Sequence, residues 1–136
     1  VKDYKMKKAL FVFMAMALLT ACQESLEDRA SREAREYTEK YCPTPVVNNT
    51  RTDSTVFDKS TRTYYTFCSL SGQMDDAEII SKNKREIIKL LAQTIKENTQ
   101  LKPYKEANFS FGFVVHSTKN PAKVYLKTVV SPKDYN

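Results

Sequence analysis

The chain has 136 residues, with 22 Lys and Arg against 16 Asp and Glu, and a formal charge of +6. The positive charge is scattered rather than gathered into a stripe, so no nucleic-acid partner is expected. Two glycines, one histidine and no Cys-x-x-Cys argue against a glycine-rich phosphate loop and a conventional zinc site.

The chain begins VKDYKMKKALFVFMAMALLTAC. Lys7 and Lys8 form a positive n-region, and Ala9 to Leu19 is an unbroken apolar run. That run suits a signal peptide and falls short of the roughly 20 residues a membrane-spanning helix needs. Met-Lys-Lys at Met6 is a typical signal opening, with residues 1–5 as an upstream extension or an alternative start. Leu19-Thr20-Ala21-Cys22 follows directly, and basic start, apolar run and these four residues stand in the order of a lipobox signal. This segment resembles the precursors of bacterial lipoproteins. The resemblance implies a diacylglycerol on the sulfur of Cys22, cleavage between Ala21 and Cys22, and anchorage to a membrane by several acyl chains. Residues 1–21 would then be removed, 22–24 would form a lipidated tether, and 25–136 would form one α+β domain. Lys2, Lys5, Lys7 and Lys8 against Asp3 account for half of the net charge, so the remaining chain is only mildly basic.

Ser25 reads as a helix N-cap, with Asp28 in the capping-box position. Leu26, Ala30, Ala34, Tyr37 and Tyr41 make one apolar stripe, and Arg29/Glu33, Arg32/Glu36, Arg35/Glu39 and Glu36/Lys40 make a solvated charged face. Pro43 and Pro45 stop the helix. Ser54 to Phe57 and Arg62 to Leu70 read as strands joined by the turn Asp58-Lys59-Ser60-Thr61. Asp75 or Asp76 caps a second helix running to about Thr99, with Ile80, Ile87, Leu91 and Ile95 as its stripe, widened by Ile88. Asn108 to Ser117 and Lys123 to Val130 are two more strands. Phe109, Phe111, Phe113 and Val115 alternate on one face, with Val124, Leu126, Thr128 and Val130 as the matching set on the last strand. The order helix, hairpin, helix, hairpin predicts a two-layer α+β fold, a four-stranded antiparallel sheet with both helices on one face.

The opposite sheet face would carry Ser110, Val114, His116, Tyr125, Lys127 and Val129, joined by some of Tyr64, Thr66 and Cys68. Tyrosine among small polar residues suits recognition, so this is the candidate binding face. Cys42 and Cys68 are an even pair in an exported chain. They form either a disulfide, contributing about 3–4 kcal/mol by chain entropy, or two buried thiols. No nucleophile motif accompanies His116, and the acidic group Asp75, Asp76 and Glu78 lacks EF-hand spacing. No cofactor and no metal are expected.

Signal, lipobox, short tether and small α+β body together resemble the small uncharacterised lipoproteins of Gram-negative envelopes, of the Bacteroidetes kind. That resemblance implies a place: lipid-anchored in the cell envelope, with the outer membrane favoured. The expected role is a non-enzymatic binding or accessory module with an envelope protein as partner. The alternatives are a small envelope hydrolase using paired carboxylates or His116, and a structural envelope protein.

Overall fold

The computed structural model describes residues 24–136. The expected signal segment, its Ala21/Cys22 junction and the lipid site at Cys22 lie outside the described residues.

Helix α1 (Leu26–Tyr41) starts where expected: Ser25 is extended and its hydroxyl accepts from Asp28 N–H. Of the four predicted charge pairs, Arg29–Glu33 and Arg32–Glu36 form, at 2.8 and 3.2 Å. Both are exposed and contribute little. Strands β1 (Thr50–Asp58) and β2 (Thr63–Leu70) form the first hairpin. Asp58 closes its turn by accepting from Ser60 N–H and Oγ–H. Helix α2 (Ala77–Glu97) is capped by Asp76, whose carboxylate accepts from Glu78 and Ile79 N–H. The short helix α3 (Lys102–Glu106) follows, then β3 (Ser110–Ser117), β4 (Val124–Val130) and the one-turn α4 (Pro132–Tyr135).

The sheet order is β1-β2-β3-β4. The α+β class, the four strands and the common helix face agree with expectation. The pairing departs from it once, because β2 and β3 are parallel. The cause is the length of α2. Its 21 residues, at about 1.5 Å each, carry the chain back along the sheet to the end where β2 began. The chain therefore enters β3 in the direction of β2.

One cross-strand row fixes the inner face: Phe57, Tyr64, Phe111 and Val130 stand side by side. Ala30 and Ala34 of α1 and Ile95 of α2 pack on this row, together with Tyr104, Phe109 and Tyr135. Small residues on α1 let the helix approach β1 closely. There the Thr38 hydroxyl accepts from Thr55 N–H at 2.8 Å, and Thr55 Oγ–H donates to Ala34 C=O at 2.8 Å. Further along, Thr44 N–H donates to Thr52 C=O, and Thr52 N–H donates to Thr44 Oγ1. These contacts occupy edge groups of β1 that would otherwise pair with another chain.

Pro103 and Pro132 read as breakers in the sequence, yet each sits in the first turn of a short helix, where a missing N–H costs nothing.

Candidate binding surface

The sheet face away from the helices is uncovered. Three rows cross it: Val56, Tyr65, Gly112 and Val129; then Ser54, Phe67, Val114 and Lys127; then Arg51, Ser69, His116 and Val124. Val56, Val129 and Val124 are 50, 43 and 53 % exposed. Tyr65 and Phe67 are half-buried, with ring centroids 6.2 Å apart. This is a flat apolar strip with charge at its rim.

Gly112 shapes the strip. A Cβ built there would stand 2.4 Å from Tyr65 Cδ1 and Cε1. The absent side chain is what lets the Tyr65 ring lie down across β3.

The predicted residues fall on this face unevenly. Val114 and Lys127 are register partners in its middle row, Val114 beside Phe67 and Lys127 out on the edge strand β4. Ser110 lies at the near end beside Thr63, two rows from Val114. Tyr125 is diverted by a bulge, since His116 pairs with Val124 while Val115 pairs with Leu126. That extra residue also turns Val124 outward, against the expectation that it follows Leu126 inward. Tyr64, Thr66 and Cys68 belong to the helix side, with Phe111, Phe113 and Val115. Tyr65 and Phe67 are the aromatic residues the sequence reading missed. TYYTFCSL carries aromatic residues on both parities, so alternation alone could not orient it.

At the far end of the face lies a polar cluster. Asp53 is the extra residue of a bulge in β1. Its Oδ1 accepts from Arg51 Nε at 2.8 Å and Ser69 Oγ at 3.1 Å. His116 Nε2 stands 3.2 Å from Oδ2, but off a hydrogen-bonding direction, so that buried oxygen has no hydrogen-bond partner. Serine, histidine and aspartate thus meet without forming a nucleophilic relay. The Ser69 hydroxyl is spent on the carboxylate, not on the imidazole, and Ser69 is 1 % exposed.

Of the two expected caps of α2, Asp76 takes that role and Asp75 has another. It accepts from Tyr125 Oη at 2.6 Å and Lys119 N–H at 3.0 Å. The Ser117 and Tyr125 hydroxyls hold its carboxyl down at a pKa of about 2, and the hydrogen bond that Tyr125 donates to it pushes the phenol up. Tyr125 is therefore a tie between the start of α2 and the β3–β4 turn, not a free recognition side chain.

On the helix side, α1 and the α2–α3 connection leave a cleft of about 370 Å³ lined by Glu33, Tyr37, Thr66, Tyr64 and Tyr104. Tyr104 Oη donates to Glu33. Burial and this carboxylate raise the Tyr104 phenol, keeping it protonated. Cys42, which caps α1, and Cys68 are both half-buried and stand as free thiols, each pushed up by burial. Among the described residues no three His, Cys, Asp or Glu side chains gather as metal ligands.

The fold is similar to that of three solved proteins. A candidate secreted protein of Pseudomonas aeruginosa superposes with a TM-score of 0.64 at 11 % identity, over 83 % of this chain and 99 % of that one. EpsS, the pilotin of the Vibrio vulnificus type 2 secretion system, gives 0.62 at 10 % identity, over 82 % and 92 %. AspS, the type II secretion pilotin of Vibrio cholerae, gives 0.59 at 12 % identity, over 80 % and 91 %. At such identities the likeness is one of fold. No curated protein matches the chain in sequence. Residues 25–126, from the N-cap of α1 into β4, match the model of the domain of unknown function DUF8479, and the chain belongs to that family.

Proposed function

We propose that this protein is a lipid-anchored accessory module of a bacterial envelope, which holds a partner protein and carries out no reaction. The observation that carries the reading is the uncovered sheet face. A chain that buries Phe57, Phe109 and Phe111 under two helices still leaves Val56, Tyr65, Phe67, Val114 and Val129 in one continuous strip. Contiguous exposed apolar surface of this kind is characteristic of protein contact sites, and aromatic residues with an apolar centre and charged rim match interface composition. Lys127 and Arg51 supply that rim.

Two further observations support the reading. Two pilotins of type II secretion and a candidate secreted protein share the fold along nearly their whole length. Leu19 to Cys22 resemble a lipobox, which would supply the anchor. Envelope hydrolysis through His116 is disfavoured by the way Asp53 and Ser69 are committed to each other.

A second reading puts the partner in the helix-side cleft, where three tyrosines line a concavity. Photo-cross-linking residues placed singly at Val56, Val114 and Val129, at Tyr37 and Gln100, and at Arg35 as a control separate the two in living cells. The proposal expects one discrete adduct from the first three positions. Adducts from Tyr37 and Gln100 alone would move the site to the cleft. Absence of a discrete adduct at all five would refute the accessory role.

A further inference from the structure

The surface of this protein that faces the bilayer can be read from chain lengths and directions. That surface follows from the proposed lipidation of Cys22. Only four residue steps separate Cys22 from Leu26, where α1 begins. Fully extended, they reach about 14 Å. The start of α1 is therefore held close to the lipid surface.

The parts that surround it form one end of the body. Asp28 pairs with Lys59 at 2.5 Å and Glu27 with Arg62 at 3.1 Å, which fixes the β1–β2 turn beside the first turn of α1. The Arg62 guanidinium lies 4.9 Å from the centre of the Phe109 ring, and Arg62 C=O accepts from Ser110 N–H. The entry to β3 is thus at the same end. Lys105 Nζ donates to the Ile95 and Lys96 carbonyls, which brings in the C-terminus of α2. Tyr135 Oη donates to Phe109 C=O, which brings in α4.

Everything else points away. The parallel strands β2 and β3 run together from Thr63 and Ser110 at this end to Leu70 and Ser117 at the other. Seven residue steps of about 3.3 Å put the two ends about 23 Å apart. The far end carries exposed Val46 and Val47, with His116 beside Asp53, and there Asp75 ties Lys119 to Tyr125.

We propose that the molecule stands end-on on the membrane. The β1–β2 turn, α3 and α4 rest at the phospholipid headgroups, and the far end and upper sheet face are presented to the partner. Lys59 and Arg62 are each answered by a carboxylate on α1. The short tether, not attraction to anionic lipid, holds this orientation, so salt leaves it unchanged.

The test uses the full lipidated protein in vesicles of phosphatidylethanolamine and phosphatidylglycerol, with a fluorescent non-natural residue at Lys59 or Lys102, or at Val47 or Lys119. A headgroup-attached quencher should act several-fold more strongly on the first pair than on the second, at low and high salt alike. A Gly-Ser insertion between Gln23 and Glu24 should abolish the difference. Equal quenching at both ends of protein that floats with the vesicles would overturn the orientation while leaving the anchor intact. A difference that survives the insertion would overturn the tether as its cause. Protein that fails to float would remove the anchor, and with it both proposals.

Discussion

Replacing Gly112 by alanine tests the candidate binding strip at its most constrained point. The new Cβ would meet two carbons of the Tyr65 ring at 2.4 Å and a third at 3.2 Å. Ordinary contact begins near 3.4 Å, so the ring must shift by about 1 Å or rotate off the sheet. Overpacking of this kind costs about 1–3 kcal/mol. The backbone of Gly112 does not need a positive φ, so alanine also removes unfolded-state entropy, worth about 0.4–1 kcal/mol in the opposite sense. The expected balance is a loss of about 1–2 kcal/mol. With a urea slope of about 1–2 kcal/mol per molar, the midpoint falls by about 1 M. The measurement is urea unfolding followed by circular dichroism for wild type, Gly112→Ala, Tyr65→Ala and the double variant. Removal of the Tyr65 ring should largely abolish the cost of the alanine, giving a coupling energy of about 1 kcal/mol or more. Additive effects, or a Gly112→Ala protein as stable as wild type, would refute the account of the ring lying across β3. Because Tyr65 belongs to the strip, Gly112→Ala should also weaken the cross-link from Val129.

Other perturbations probe other parts of the account. Thr38→Ala leaves Thr55 N–H without its 2.8 Å acceptor and unblocks an edge of β1; a loss of about 1–2 kcal/mol and faster aggregation are expected in unfolding and light-scattering assays. Ile95→Ala empties a site under β4 that is 5 % exposed and should cost about 2–5 kcal/mol by the same unfolding measurement. Asp75 has a folded pKa of about 2, below its ordinary value of 3.8. Its stabilising effect is therefore complete above pH 4 and is lost as pH falls through 2. Asp75→Asn should flatten acid unfolding in that window, and an unchanged acid profile would count against the tie to Tyr125. The Cys42–Cys68 bridge is proposed for protein exported to an oxidising compartment. Intact mass and thiol alkylation should find neither cysteine reactive, while two alkylated thiols in protein from the envelope would exclude it.

The elements were legible where the physics is local. Ser25 before a charged amphipathic run, Asp76 before an isoleucine stripe, and the alternation of Phe109, Phe111 and Phe113 each report a cap or a period within a few residues. The misread features depend on distant parts of the chain. The direction of β3 relative to β2 is set by how far α2 carries the chain, not by either strand. The orientation of TYYTFCSL is set by its neighbours, since both parities are aromatic. Tyr125 looks free in sequence, because nothing near it announces the carboxylate of Asp75 that holds its hydroxyl. The bulges at Asp53 and Tyr125 likewise shift register by one residue without a glycine or proline to mark them. For the uncovered face, alternation alone places Val114 and Lys127 on it. Tyr65, Phe67 and the role of Gly112 required the register across β2 and β3.

The anchor at Cys22 is the claim on which placement in the envelope depends. Mass spectrometry of the N-terminal peptide from membrane-extracted protein tests it directly. The account predicts a peptide beginning at Cys22 with a diacylglycerol thioether on its sulfur. An unmodified Cys22 still joined to Ala21 would contradict it.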